Sequence, residues 1–302
     1  MIRSLEIHVG EGSGGAIAQD LPTAMKNIPH LRSLVLIISD HRLVQDCIQN
    51  GLLEARFPAL EVFHTSLSSS PELLHFIQRN STIVDLALST TADQNKPEFG
   101  ELVVVPNLRK LRCNPLYLHV LAPPPSLTDI SLPVCTCQQF QCVTSTLGKQ
   151  LRRLQVGELG RLPGKRSWPF QYILARFSRL EHLEVVLRAP KTEMTSIDFL
   201  APGTPPFTFK RQSPLTIAWM VREELLRTKE QDTETIREVL DRAALQVLRN
   251  WAPYVGQILY GHRSRVVASV SLSPDQTSLV HRVLVENSSD RTALWYRSVE
   301  RV

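Results

Sequence analysis

Leu31-Arg32-Ser33-Leu34-Val35-Leu36 reads L-x-x-L-x-L, and the fold follows from how often that phrase returns. Ile2-Leu5-Ile7 comes before it. Phe57-Leu60-Val62, Ile83-Leu86-Leu88, Leu108-Leu111-Cys113, Leu127-Ile130-Leu132, Leu151-Leu154-Val156 and Leu180-Leu183-Val185 come after it. Successive starts are 29, 26, 26, 25, 19, 24 and 29 residues apart. Side chains of a strand alternate between faces, so positions four and six of the phrase point into one core. Position one enters that core from the preceding turn.

A strand of this kind cannot bury its apolar face alone, whereas repeats stacked in parallel bury a continuous core. A period near 25 in this phrase is the signature of a leucine-rich-repeat solenoid. The expected class is therefore α/β, a curved parallel sheet with short helices on the convex side, carried by about eight repeats over residues 1–190. Residues 191–214, with four prolines and Pro190 just ahead of them, read as a linker or degenerate repeat, Phe207-Thr208-Phe209 being a candidate ninth strand. Residues 215–302 read as C-terminal helices and a β-meander, a possible cap.

The connectors fit this plan. A helix is expected at about 16–28, with Ala16, Ile17, Leu21, Ala24, Met25 and Ile28 on one stripe. An apolar pattern at Val44, Ile48 and Leu52 follows the second strand. Ser70 and Pro71 read as the N-cap and first residue of a helix that ends near Asn80. Pro115 and Pro123-Pro124-Pro125 exclude a helix between the phrases at 108 and 127, so an extended back segment is expected there. Short helices are expected at 138–148 and 170–176. Position nine, which is Asn in one form of this repeat, is here Gly10, Ser39, Thr65, Thr91, Leu116, Cys135, Leu159 and Arg188, so an asparagine ladder is absent. Helices are expected at 215–228 and at 233–251, the second with Ile236, Val239, Leu240, Ala243, Val247, Leu248 and Trp251 inward. Arg237, Glu238, Asp241, Arg242 and Arg249 would face outward. Strands are expected at 266–272, 279–285 and 293–299, separated by Ser273-Pro274-Asp275 and Asn287-Ser288-Ser289-Asp290.

Hydrophobic residues make up 43% and charged residues 21% of the 302-residue chain, the proportions of an ordinary soluble protein. No run approaches the roughly 18 apolar residues of a membrane helix. The start, MIRSLEIHVGEG, lacks the apolar core of a secretory signal. Five cysteines without scaffold spacing point to a reduced, intracellular protein, cytoplasmic or nuclear. The net charge of +5 is mild. Its densest basic region (Arg152, Arg153, Arg161, Lys165, Arg166, Arg176, Arg179) reads as a solvated face, so neither nucleic acid nor membrane is an expected partner.

The eight phrases, the connector from Leu73 to Leu86, and the stretch Leu127-Thr128-Asp129-Ile130-Ser131-Leu132-Pro133-Val134-Cys135 resemble the repeat region of fungal F-box leucine-rich-repeat proteins. The last stretch is similar to the cysteine-type repeat of that family. The resemblance covers residues 1 to about 190. It implies a ligase substrate receptor, in which an F-box module binds the adaptor of a cullin-RING ubiquitin ligase and the repeats hold the substrate. The sequence departs by opening on a repeat strand at Ile2, with no F-box ahead of it. That fits either a truncated product without independent function or a repeat-only relative. An adaptor would be a partner only through a cryptic F-box.

Other chemistry is sparse. Gly10-Glu11-Gly12-Ser13-Gly14-Gly15 matches G-x-G-x-x-G between a strand and a helix, and Asp40 ends the next strand. That is the context of a dinucleotide-binding turn and the argument for a nucleotide-binding enzyme. Against it, both strands carry the repeated phrase, which a dinucleotide-binding sheet has no reason to repeat. Cys135-Thr136-Cys137 with Cys142 lacks the paired spacing of a zinc site, and the nine histidines form no metal-ligand pair. No nucleophile, base and oxyanion set assembles. No cofactor or catalytic residue is expected.

The expected function is a non-catalytic protein-interaction module that binds a protein partner through the outward strand positions. The candidate contact residues are Arg32, Glu61, Asp85, Arg109, Lys110, Arg112, Asp129, Arg152, Arg153, Gln155, Glu181 and Glu184. Arg3, Ser4, Glu6, Ser33, Val35, Ala87, Thr128, Ser131 and His182 share that surface. Basic residues concentrate at 109–112 and 152–153, where an acidic partner segment would cross.

Overall fold

The structure is a computed structural model that describes residues 2–9, 15–38, 51–88, 102–133, 147, 150–156, 177–187, 214–221, 230–251, 254–262 and 265–283. The chain is α/β and mostly parallel. It divides into two compact units, Met1–Val134 with Gln139–Gln150, and Cys135–Gln138 with Leu151–Val302.

The first unit holds β1 (Ser4–Val9), β2 (Ser33–Ile38), β3 (Val62–Thr65), β4 (Asp85–Ala87), β5 (Val103–Val104), β6 (Lys110–Arg112), β7 (Leu121–Ala122) and β8 (Asp129–Leu132). Strands β1, β2, β3, β4, β6 and β8 lie side by side in that order, every pair parallel. Parallel neighbours need a crossover. Helix α1 (Gly15–Lys26) supplies the one between β1 and β2, and α2 (Pro71–Arg79) the one between β3 and β4. In α1 Leu21 and Met25 are buried, whereas Ala24, expected on the same stripe, is exposed. As expected, Ser70 caps α2, its side chain accepting from Leu73 N at 3.2 Å. In the proline-rich stretch a 3₁₀ turn, Pro115–His119, leads to β7, which pairs with β5 to form a small second sheet. The back segment, expected to be extended and without a helix, is thus a five-residue 3₁₀ turn followed by a two-residue strand, Pro115 being tolerated at the first position of the turn because no N–H is needed there.

The register explains the repeated phrase. Leu5, Leu34, Phe63, Leu86, Leu111 and Ile130 stand in one row across the sheet. Position one is filled by Leu31, Leu60, Ile83, Leu108 and Leu127, each no more than 2% exposed. The third phrase is therefore Leu60-Phe63-Thr65, three residues later than the expected Phe57-Leu60-Val62. Val62 is half-buried on the outward side, and Phe57 packs edge-on against Phe76 of α2, ring centroids 6.2 Å apart. Thr65 consequently sits at position six, buried, with its hydroxyl accepting from Leu67 N.

Polar side chains just before position one tie each turn to the previous one. Thr82 Oγ1 donates to Leu60 O at 2.8 Å, and Asn107 Nδ2 donates to Ser81 O at 3.1 Å. Ser126 Oγ reaches Leu108 O at 2.8 Å and Pro106 O at 2.9 Å, while Gln150 Nε2 reaches Pro124 O at 3.5 Å. These bonds satisfy turn carbonyls that neither strand nor helix can use. Asn80 does similar work inside: its Oδ1 accepts from Phe57 N at 2.7 Å and its Nδ2 donates to Phe76 O at 2.8 Å.

The second unit holds β9 (Arg153–Val156), β10 (His182–Leu187), β11 (Leu215–Val221), β12 (Val255–His262), β13 (Arg265–Leu272) and β14 (Leu279–Val283). The first four are parallel neighbours and the last two continue antiparallel. Leu154, Leu183, Ile217 and Ile258 form the inner row. Helix α3 (Glu230–Asn250) is the crossover from β11 to β12. Residues 215–221, expected as helix, are strand. Leu215, Ile217 and Trp219 are buried, as is Ala218, and β-branched and aromatic side chains suit a pleated surface better than a helix. Leu240, Ala243, Ala244, Val247 and Leu248 line the buried side of α3, and Trp251, just after it, is buried too. Asp241, expected outward, instead accepts from Tyr260 Oη at 2.9 Å and lies 3.7 Å from His281 Nε2. Strands β13 and β14 match two of the three expected C-terminal strands. The expected segments at Val44–Ile48, 138–148, 170–176, 207–209 and 293–299 lie outside the described residues, apart from Leu147, which is buried. Among the described residues, no helix is long and apolar enough to cross a membrane.

Candidate interaction face

Because neighbouring strands are in register, outward residues form straight columns. In the first unit one column runs Ser4, Ser33, Val62, Asp85, Lys110, Asp129, and the next runs Glu6, Val35, His64, Ala87, Arg112, Ser131. Arg3, Arg32, Glu61 and Arg109 immediately precede these strands and are exposed, and Thr128 is half-buried. Of the expected candidates of this unit, Asp85, Lys110, Arg112 and Asp129 thus share one face of the sheet, and Arg32, Glu61 and Arg109 are exposed just ahead of the strands. His64 belongs with them and was missed, because the shifted third phrase leaves it unassigned.

Charge is distributed unevenly over this face. Arg32 Nη1 lies 3.6 Å from Glu61 Oε1 on the next repeat. His64 Nε2 lies 3.2 Å from Asp85 Oδ1, and the Thr128 hydroxyl donates to Asp129 Oδ2 at 2.7 Å. On and beside β6, Arg109, Lys110 and Arg112 are all exposed. None of the three forms an ion pair among the described residues. Exposed pairs such as Arg32–Glu61 are worth only about 0–1 kcal/mol, so these charges contribute little to stability.

In the second unit the outward columns are Arg153, His182, Thr216, Gln257 and Gln155, Glu184, Ala218, Leu259. Arg152 Nη1 meets Glu181 Oε1 at 3.1 Å, and Gln155 Nε2 donates to Glu184 Oε1 at 2.6 Å. Arg152 and Glu181, just ahead of β9 and β10, are matched to each other, while Arg153, Gln155 and Glu184 share one face. Thr216 and Gln257 extend it, joined at 3.3 Å, and were missed because 215–228 was read as helix. Burial pushes the His182 imidazole below its usual range, Arg153 adding to the shift and Glu184 opposing it.

Other candidates have less substance. A depression of about 250 Å³ between Leu53, Glu54 and α2 is lined by Glu72, His75 and Arg79. That is smaller than the roughly 300–1,000 Å³ of most ligand pockets. Gly10 to Gly14, Asp40, Cys135, Cys137 and Cys142 lie outside the described residues, and Gly15 is the first residue of α1. Among the described residues no group of three potential ligands could hold a metal ion. Compared with models of known families and with curated proteins, the chain matches none.

Proposed function

We propose that this chain is a leucine-rich-repeat module, related to the substrate-binding repeats of F-box ubiquitin-ligase receptors, that acts without catalysis by binding an acidic segment of a protein partner. The observation that carries the reading is the exposed triad Arg109, Lys110 and Arg112. Arg32 and Arg152 each meet a carboxylate just ahead of the neighbouring strand, whereas this triad has none among the described residues. A column of Asp85, Lys110 and Asp129 beside a column of Ala87, Arg112 and Ser131 suits an extended acidic peptide crossing the strands, its carboxylates on the guanidinium groups.

The test is to express the tagged chain in a eukaryotic lysate, identify the proteins recovered, and repeat with Arg109→Glu/Arg112→Glu. The expected result is a specific partner whose recovery falls at least tenfold with the double variant and is kept by Arg32→Glu. Equal loss with Arg32→Glu, or no loss with the double variant, overturns the assignment of the face. Recovery of a cullin scaffold and its adaptor makes the chain a ligase receptor. Recovery of a partner without them leaves a repeat-only binding module.

A further inference from the structure

The outward face of the first unit is divided by chemistry as well as by charge. At one end three apolar side chains stand on it, Val35 and Ile37 on β2 and Val62 on β3, each half-buried. Neighbouring apolar groups left partly open to water favour a partner that covers them. At the other end the two columns differ. Lys110 stands in register between Asp85 and Asp129, whereas Arg112 stands between Ala87 and Ser131. A carboxylate arriving at Lys110 meets like charge on both sides, and one arriving at Arg112 meets neutral neighbours. In the column of Arg112, Glu6 stands beside Val35, so a carboxylate is disfavoured at that end.

The apolar end and the favoured cation are therefore in one column, which runs Val35, His64, Ala87, Arg112. Three strand steps of about 4.8 Å put Val35 and Arg112 roughly 14 Å apart. An extended peptide advances about 3.3 Å per residue and turns alternate side chains to the same side. Its residues i and i+4 thus face the sheet about 13 Å apart, which matches the column. A spacing of two, about 7 Å, falls short, and a spacing of six, about 20 Å, overshoots.

Granted that the chain binds an acidic segment, we infer that this segment carries a large apolar residue four positions from its carboxylate. The apolar side chain covers Val35, Ile37 and Val62, and the carboxylate meets Arg112. The residue midway lies over His64 and Ala87, where Ala87, the smallest side chain of the column, leaves room for it. Side-chain spacing is the same in both chain directions, so either order of the two anchors fits. An exposed ion pair contributes little by itself. The apolar contact supplies most of the affinity, and the arginine sets the register.

Selection from a library of random peptides about twelve residues long, displayed on phage, against the full chain tests this. The expected peptides carry Leu, Ile, Phe or Met four positions from Asp or Glu, about threefold or more above the frequency at spacings of two and six. A selected peptide is then labelled and titrated by fluorescence anisotropy. Val35→Ser should weaken its binding about tenfold, and Arg112→Gln by a similar factor. The same peptide with serine in place of its apolar residue should bind Val35→Ser and wild type equally, which a misfolded variant would not do. Amide exchange across β2 gives a second check on folding. Acidic peptides with no apolar residue at that spacing, or a selected peptide indifferent to Val35→Ser, overturn the inference and leave the binding of acidic segments standing. Selected peptides without acidic residues, or an empty selection, overturn both.

Discussion

Replacing Asn80 with alanine removes two bonds from a buried site and leaves one group stranded. Asn80 is 1% exposed. Its Oδ1 is the acceptor for Phe57 N at 2.7 Å, and Phe57 is itself 1% exposed, so the freed N–H has no water to turn to. An unmet buried donor costs about 1–3 kcal/mol. Phe76 O loses the Nδ2 donor but keeps the Asn80 backbone N–H at 3.2 Å, so that side adds about 1 kcal/mol. The expected sum is about 2–4 kcal/mol, or roughly 30-fold to several-hundred-fold in an opening equilibrium. Asn107→Ala is the matched control. Its amide also donates to a backbone carbonyl, Ser81 O, but at the surface, so the loss should stay within about 0.5 kcal/mol.

The assay must report on the first unit. All four tryptophans fall in Leu151–Val302, so their emission follows the second unit. Hydrogen exchange read by mass spectrometry on peptides covering Phe57 and α2 gives the local opening free energy directly. An Asn80→Ala protein whose Phe57 peptide exchanges within about twofold of wild type would refute the claim that this side chain joins the loop to the helix, since about 2 kcal/mol is the smallest effect allowed.

Further outcomes follow from the same geometry. Phe63→Ala should cost about 3–5 kcal/mol in the first unit and Val62→Thr less than about 1 kcal/mol, as judged by the same exchange experiment. The reverse order would restore the phrase Phe57-Leu60-Val62. The His182 imidazole is held below its ordinary 6.5 by burial, so the folded state binds fewer protons than the unfolded chain. Its contribution is fully present above pH 6.5 and is lost as pH falls through the folded value. Urea melts of the second unit by tryptophan emission should weaken below pH 6.5, and His182→Gln should remove that part of the slope. Hydrogen bonds from the Ser273 hydroxyl and from the Thr277 hydroxyl and N–H hold the Asp275 carboxyl down to about 2. The Ser273–Ser278 loop should therefore stay ordered above pH 3.8 and loosen as pH falls through about 2. The amide resonance of Thr277 follows this, and Asp275→Asn should flatten it.

Much of the ladder was legible because two constraints coincide in it. A position-four residue must be apolar for the core and must recur at a spacing set by one strand and one crossover. Where both hold, as from Ile83 to Leu132, phrase and register agree residue by residue. The third repeat misled because Phe57, Leu60, Val62 and Phe63 are all apolar, and two alignments fit the pattern. The choice is made by Asn80, 23 residues downstream, whose bond to Phe57 N holds that aromatic in the loop ahead of the strand. The same loss of local information explains β11. Nothing within Leu215–Val221 fixes its partner; that comes from β10, and from β12 beyond the length of α3.

The turns between the parallel strands are tied together by side chains of several kinds. A stack of parallel crossovers leaves one turn per repeat whose carbonyls have no partner in strand or helix. Thr82, Asn107, Ser126 and Gln150 answer this with four different donors at a single position, each reaching the turn before it. A search for one residue type cannot find such a series. A search for any side-chain donor immediately before position one finds all four. It leaves Ala59 as the gap in the series, at the one repeat where the buried amide of Asn80 ties the turn from inside instead.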